Sequence, residues 1–148
     1  MKTIILYYSK HHGNTRKIVQ AAYTAIDADI LDISSPKAAK EDLSGYDRIG
    51  IASGIYGGSF HPEMIKYIKT HMRRKKQVFL MYTCTFDLPH YTRRILRVLE
   101  GTDARVIGKF CCRGLNTFGP FGFFGGVAKG HPDVNDLERA ADFVRKLK

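Results

Sequence analysis

The sequence predicts a doubly wound α/β domain, a five-stranded parallel sheet of order 2-1-3-4-5 with helices on both faces. Three observations predict it. Five short apolar runs recur along the chain, and the segments between them carry apolar residues at helical spacing. Four of the five runs are apolar nearly throughout, as strands are when helices cover both faces of a parallel sheet. A strand–helix alternation with right-handed crossovers then leaves a doubly wound sheet as the arrangement that buries every run. In that order a ligand crevice opens at the carboxyl ends of strands one and three.

The first strand is Thr3–Tyr8, TIILYY. The helix after it sets Ile18, Val19, Ala22 and Ile26 on one face, with Asn14 as N-cap. The second strand is Asp29–Ile33. The connection from Ser34 to Tyr46 is short and carries a brief helix near Ala38–Leu43. The third strand is Arg48–Ser53, and the helix after it starts at Pro62, a favoured first position, burying Met64, Ile65, Ile68 and Met72. The fourth strand is Gln77–Thr83. Its helix follows Pro89, buries Tyr91, Ile95, Val98 and Leu99, and ends at Gly101. The fifth strand is Arg105–Cys112, where the adjacent Cys111 and Cys112 point to opposite faces and read as packing residues. The last helix follows Pro132, with Val134, Leu137, Ala141 and Val144 as its apolar stripe and His131, Asp133 and Asp136 serving to cap it. Residues 114–130 hold six glycines and four phenylalanines without a period, and read as a surface loop or a functional one.

At 148 residues, with no linker or repeat, the chain reads as one domain, 1–148. A hydrophobic content of 44% excludes a disordered chain. No apolar run approaches the roughly 20 residues of a membrane helix, and Met1–Tyr8 reads as a strand and not a signal peptide. The three cysteines show no CxxC or Cys/His spacing. They are expected to be reduced thiols in a cytoplasmic protein, with no metal site.

Function on such a fold belongs to the loops that follow the strands. Ser9, Lys10, His11, His12, Gly13, Asn14 and Thr15 join the first strand to a helix N-terminus, where free N–H groups and the helix dipole can hold a phosphate. The loop matches neither GxxxxGK[ST] nor GxGxxG. Lys10, His11 and His12 read as cationic clamps or as solvated loop residues; as clamps, the histidines would lose the anion on deprotonation. A phospho-receiver needs an aspartate where Ser53 and Gly54 stand. A Cys-based phosphatase needs an arginine six residues after Cys84, where His90 stands. No catalytic residue is assigned.

The run YYSKHHGNTRKI resembles the phosphate loop of the flavodoxins, and SGIYGG at 53–58, GLNTFGP at 114–120 and GHP at 130–132 continue the resemblance along the whole chain. It implies the flavodoxin-like fold and non-covalent FMN. By position, Ser9, His11, His12, Gly13, Asn14 and Thr15, with Lys10, would surround the phosphate. Ser53, Gly54, Ile55, Tyr56 and Gly57 would line the dimethylbenzene and ring edge. Thr83, Cys84, Thr85, Phe86 and Asp87 would form the loop on the other side of the ring. Tyr56 and Phe86 are the aromatic candidates to stack on it. The chain departs from the flavodoxin pattern in having no tryptophan and in being strongly basic.

Lys and Arg number 24 against 14 acids, for a net charge of +10. Residues 66–113 hold 12 of the cations and only Asp87, Glu100 and Asp103, so this span accounts for +9. Arg73, Arg74, Lys75 and Lys76 read as a solvated helix end, whereas Arg93, Arg94, Arg97 and Arg113 lie nearer the crevice. The reading that follows is an FMN electron carrier steered toward an acidic redox protein. The alternatives are an FMN-dependent reductase taking hydride from NAD(P)H to a quinone, and, less supported, a polyanion-binding module. Nucleic acid is not expected, for no recognised binding motif is present.

Overall fold

A computed structural model of the chain describes residues 1–10, 13–73, 75–115, 126 and 128–148. The strands are β1 (Thr3–Tyr8), β2 (Asp29–Asp32), β3 (Arg48–Tyr56), β4 (Ser59–Phe60), β5 (Gln77–Cys84) and β6 (Arg105–Arg113). The helices are α1 (Asn14–Ile26), α2 (Pro62–His71), α3 (Arg93–Glu100) and α4 (Val134–Arg145). The parallel sheet has the order β2-β1-β3-β5-β6, which is the expected 2-1-3-4-5 once the two-residue hairpin strand β4, antiparallel to β3, is set aside.

Leu6 pairs with Ile51 and Ile51 with Leu80, so the central strands lie in register with apolar side chains on both faces. One face packs under α2 and α3, around Leu6, Ile51, Phe60, Met64, Ile68, Leu80, Ile95 and Leu99. The other packs under α1 and α4, around Ile5, Ile18, Val19, Ala22, Phe79, Met81, Ala140 and Val144. Gly50 is required on that second face: a Cβ there would stand 2.5 Å from the Phe79 ring. Among the described residues no helix is long and apolar enough to cross a membrane.

Four local expectations are corrected. Asn14 is the first residue of α1 and not its cap; Gly13 caps it in the left-handed conformation at φ 65°. No α-helix forms near Ala38–Leu43. Two short 3-10 turns, Pro36–Lys40 and Leu43–Gly45, stand there instead, because Glu41 and Asp42 are extended. The stripe of α4 is rotated: Val134 is 70% exposed, and Asp136, Ala140 and Val144 are buried. The described part of the basic run, Arg73, Lys75 and Lys76, lies beyond the end of α2 and leads into β5, with Lys76 Nζ donating to the carbonyls of Ser44 and Tyr46 at 2.8 and 2.5 Å. It therefore sits at the amino ends of the strands. The end of β3 also runs past Ser53 to Tyr56, since pairing with β4 keeps it extended. The glycine- and phenylalanine-rich segment from 116 to 125 lies outside the described residues.

Candidate functional site

Tyr8 pairs with Ser53, and Gly54 with Thr83, so the loops leaving β1, β3 and β5 emerge side by side at the carboxyl edge of the sheet. The first of them enters α1. Gly13 at its N-cap brings no side chain, and the first turn holds no acid. The helix dipole therefore faces the loop with no acidic side chain in the first turn to offset it. The space a Gly13 side chain would occupy is open to 4 Å. Ser9 Oγ accepts from the Arg16 N–H at 3.2 Å, which folds the loop back over the helix start. Asn14 Nδ2 donates to the Leu115 carbonyl at 3.0 Å, while its Oδ1 is buried with no hydrogen-bond partner among the described residues. The Thr15 and Thr83 hydroxyls lie 3.4 Å apart, joining this loop to the end of β5. His11 and His12 lie outside the described residues.

A second cluster stands on the β3 side. His61 stacks on Tyr8 with ring centroids 4.0 Å apart, and the Tyr56 ring meets His61 edge-on at 4.7 Å. The Tyr56 ring folds over Gly54, 3.0 Å from where a Cβ would stand. Burial raises the Tyr56 hydroxyl pKa, partly offset by a hydrogen bond from the Lys10 backbone. Lys10 Nζ lies 5.5 Å over the Tyr8 ring. Ser53 is buried, its hydroxyl donating to the Gly54 carbonyl at 2.7 Å and accepting from the His61 N–H at 3.0 Å. Ile55 pairs with Phe60, and Gly57 makes the hairpin turn at φ 59°. Tyr8, Lys10, Ile33, Ser34, His61 and Glu63 enclose a cleft of about 550 Å³ beside the loop.

The loop after β5 supplies the third wall. Thr83 and Cys84 are buried and Thr85 is half-buried, but Phe86 is 61% exposed and Leu88 41%. Asp87 turns back to accept from the Tyr82 hydroxyl at 2.8 Å. Burial first, and then that carboxylate, raise the Tyr82 pKa. The described candidates thus fall into one region along the strand ends. Within it, Ser53, Ile55, Thr83 and Asp87 are engaged with the protein's own frame, Asn14 keeps its Oδ1 buried, Gly13 borders open space and Phe86 is exposed. His61 was not singled out in the sequence; its one signal is a histidine preceding Pro62, where its Nδ1 accepts from the Glu63 N–H at 3.1 Å and caps α2.

Residues 4–102 match the family model described as a flavodoxin domain. An uncharacterized protein of Methanocaldococcus jannaschii is 34% identical over 99% of this chain and 98% of its own. Among solved structures, flavodoxin 2 of Bacillus cereus superposes with a TM-score of 0.68 at 17% identity, covering 97% of this chain and 95% of its own. Flavodoxin 1 of the same organism gives 0.66 at 18%, covering 100% of each chain. At those identities the structural likeness speaks for the fold alone.

Proposed function

Because the chain belongs to the flavodoxin domain family and its cofactor is FMN, we propose that it serves as an electron carrier between redox proteins and not as a self-sufficient reductase. The observation that carries the reading is the pairing of a helix start that has neither an N-cap side chain nor an acid with a buried acceptor that lacks a partner among the described residues. A phosphate suits the N–H groups that open α1. A ribityl hydroxyl suits Asn14 Oδ1, which needs a donor to offset its burial. An isoalloxazine suits the exposed face of Phe86. The donor set therefore fits FMN.

In this reading Ser9, Gly13, Asn14 and Thr15 hold the phosphate and ribityl end. Tyr56 and His61 form a wall in which His61 stacks on Tyr8 and Tyr56 meets His61 edge-on. Thr85, Phe86 and Asp87 cover the other side of the ring. FMN supplies the redox chemistry; the protein fixes its orientation, screens it from water and sets the charge around it. No side chain need act as acid or base. Arg93, Arg94, Arg97 and Arg113 steer an acidic partner to the crevice.

The test has two parts. The purified protein, reconstituted with FMN, is expected to show the absorbance of bound flavin. It is expected not to sustain NAD(P)H oxidation with a quinone unless a partner protein is added. Failure to bind added FMN would overturn the site, and rapid turnover with NAD(P)H and quinone alone would replace the carrier with a reductase.

A further inference from the structure

We propose that Cys84 is a peroxide-reactive thiol and that Cys111 is its resolving partner, the two closing to a disulfide between β5 and β6. Their sulfurs lie 2.7 Å apart across the two strands. A bonded pair sits at about 2.05 Å, so closure needs less than an ångström of movement. Both are free thiols, Cys84 buried and Cys111 half-buried on an edge strand.

The pairing depends on a bulge. The β5–β6 register runs Gln77 to Arg105 and Val78 to Val106, then skips Ile107 and resumes with Phe79 opposite Gly108. Beyond the skip, Tyr82 faces Cys111 and Thr83 faces Cys112. Cys84 and Tyr82 share a face, so Cys111 joins them there, while Cys112 points into the opposite core. Without the extra residue the alternation would be reversed and Cys112 would share the face of Cys84.

The electrostatics assign the roles. Hydrogen bonding with Cys111 holds the Cys84 thiol below its ordinary value against the opposing effects of burial and the Asp87 carboxylate, with a smaller contribution from Arg113. The same contact, with burial, pushes Cys111 up, and burial pushes Cys112 up to about 12. The thiolate is the nucleophile, and the strand register sets the cationic Arg113 opposite Cys84, so Cys84 attacks first. With Cys84 only 7% exposed, the oxidant is confined to one as small as hydrogen peroxide. Asp87 completes a possible ligand set with the two sulfurs. Two thiolates on a tetrahedral zinc ion lie about 3.8 Å apart, given Zn–S bonds of about 2.3 Å. The pair is already closer than that, which favours the disulfide over a metal.

In the first step the Cys84 thiolate attacks one peroxide oxygen, the O–O bond breaks, and the hydroxide released takes up the proton Cys84 had lost. Cys84 becomes a sulfenic acid. The Cys111 sulfur then attacks the Cys84 sulfur, the S–O bond breaks, and the hydroxyl leaves as water with the Cys111 proton. Two thiols and one peroxide give one disulfide and two waters. A low-molecular-weight dithiol reverses the bond by exchange, itself becoming a disulfide.

The experiment treats the full chain as purified, after a metal chelator, with a small excess of hydrogen peroxide and counts alkylatable thiols. The count is expected to fall from three to one, with a Cys84–Cys111 peptide link on mapping and full recovery on adding dithiothreitol. Cys112 is expected to react at least tenfold more slowly. In the Cys111→Ser variant Cys84 is expected to stop at a sulfenic acid that dimedone traps, while Cys112→Ser closes the bond as before. Three thiols persisting under peroxide, a link through Cys112 or to a second chain, or thiols alkylated only after chelation would each overturn the proposal. The thiol count needs neither flavin nor redox partner, so it stands or falls apart from the carrier function.

Discussion

At the scale of single residues, the site turns on groups left without partners. Asn14 holds Leu115 with its amide nitrogen and leaves Oδ1 buried and, among the described residues, unpaired. Asn14→Asp replaces that donor with an oxygen facing a carbonyl, and adds a negative charge beside the phosphate. FMN affinity is expected to fall more than tenfold, a loss above about 1.4 kcal/mol, in a fluorescence titration of the apoprotein. An unchanged affinity would remove Asn14 from the site. Phe86 behaves differently. It is 61% exposed, so Phe86→Ala should leave the melting temperature unchanged while weakening FMN roughly two- to tenfold, the worth of one aromatic contact. A lower melting temperature with undiminished FMN binding would make Phe86 a structural residue. The strand-to-helix turn at residues 9–15 was legible because an apolar run gives way there to helical spacing. The division of labour between Gly13 and Asn14 was not, since both residue types cap helices and only the backbone shows which of them takes the left-handed turn. Ser53 was read as a ring-edge residue, yet its hydroxyl clasps His61, a contact eight residues away that depends on the β3–β4 hairpin.

At the scale of elements, strands were more legible than helix faces. Buried parallel strands are apolar on both sides, so their extent can be read directly. A helix stripe is fixed only by what it packs on, and α4 rotates because its first turn is tied down by polar contacts. Asp133 accepts from the Asp136 N–H, Asp136 accepts from the Asp133 N–H, and His131 Nδ1 meets Asp136 Oδ2 at 2.7 Å. These contacts draw Asp136 inward and leave Val134 outside. Burial alone would raise the Asp136 pKa; the hydrogen bond with His131 and that from Asp133 outweigh it and leave the carboxyl below its ordinary 3.8. A depressed carboxylate pKa stabilises the fold above the unfolded value, and that stabilisation is lost as pH falls through the folded one. Asp136→Asn is therefore expected to cost about 1 kcal/mol near neutral pH, with the gap to the parent closing below about pH 4. Denaturant melts at pH 7 and pH 3 measure it; a gap equally wide at both would mean the charge on Asp136 contributes nothing. The β5–β6 bulge was beyond the sequence for a related reason. Gly108, an isolated glycine inside the strand, is the one mark beside the skipped Ile107, and it does not by itself fix which residue is skipped or the face each cysteine takes.

At the scale of the whole molecule, the charge count was readable from the sequence but its sidedness needed the topology. The span carrying +9 is built into α2, β5, α3 and β6. Since α2 and α3 cover one face and β6 is the outer strand, the cations gather on one face and one edge. Arg93, Arg94 and Arg113 are exposed there, while Lys76 is held at the opposite end by the carbonyls of Ser44 and Tyr46. Reduction adds negative charge to a bound flavin, and cations within a Debye length favour the more negative form. The FMN potential is therefore expected to be less negative than on an acidic flavodoxin frame. It should move to more negative values as salt rises, because the Debye length shrinks from about 10 Å at 0.1 M to about 3 Å at 1 M. Arg93→Glu with Arg94→Glu, two surface changes on the first turn of α3, should reproduce part of the high-salt shift at low salt without unfolding the protein. Spectroelectrochemical titration at the two ionic strengths measures both effects. A potential that ignores salt and charge reversal alike would show that the basic face does not reach the flavin, and would leave partner steering as its only electrostatic role.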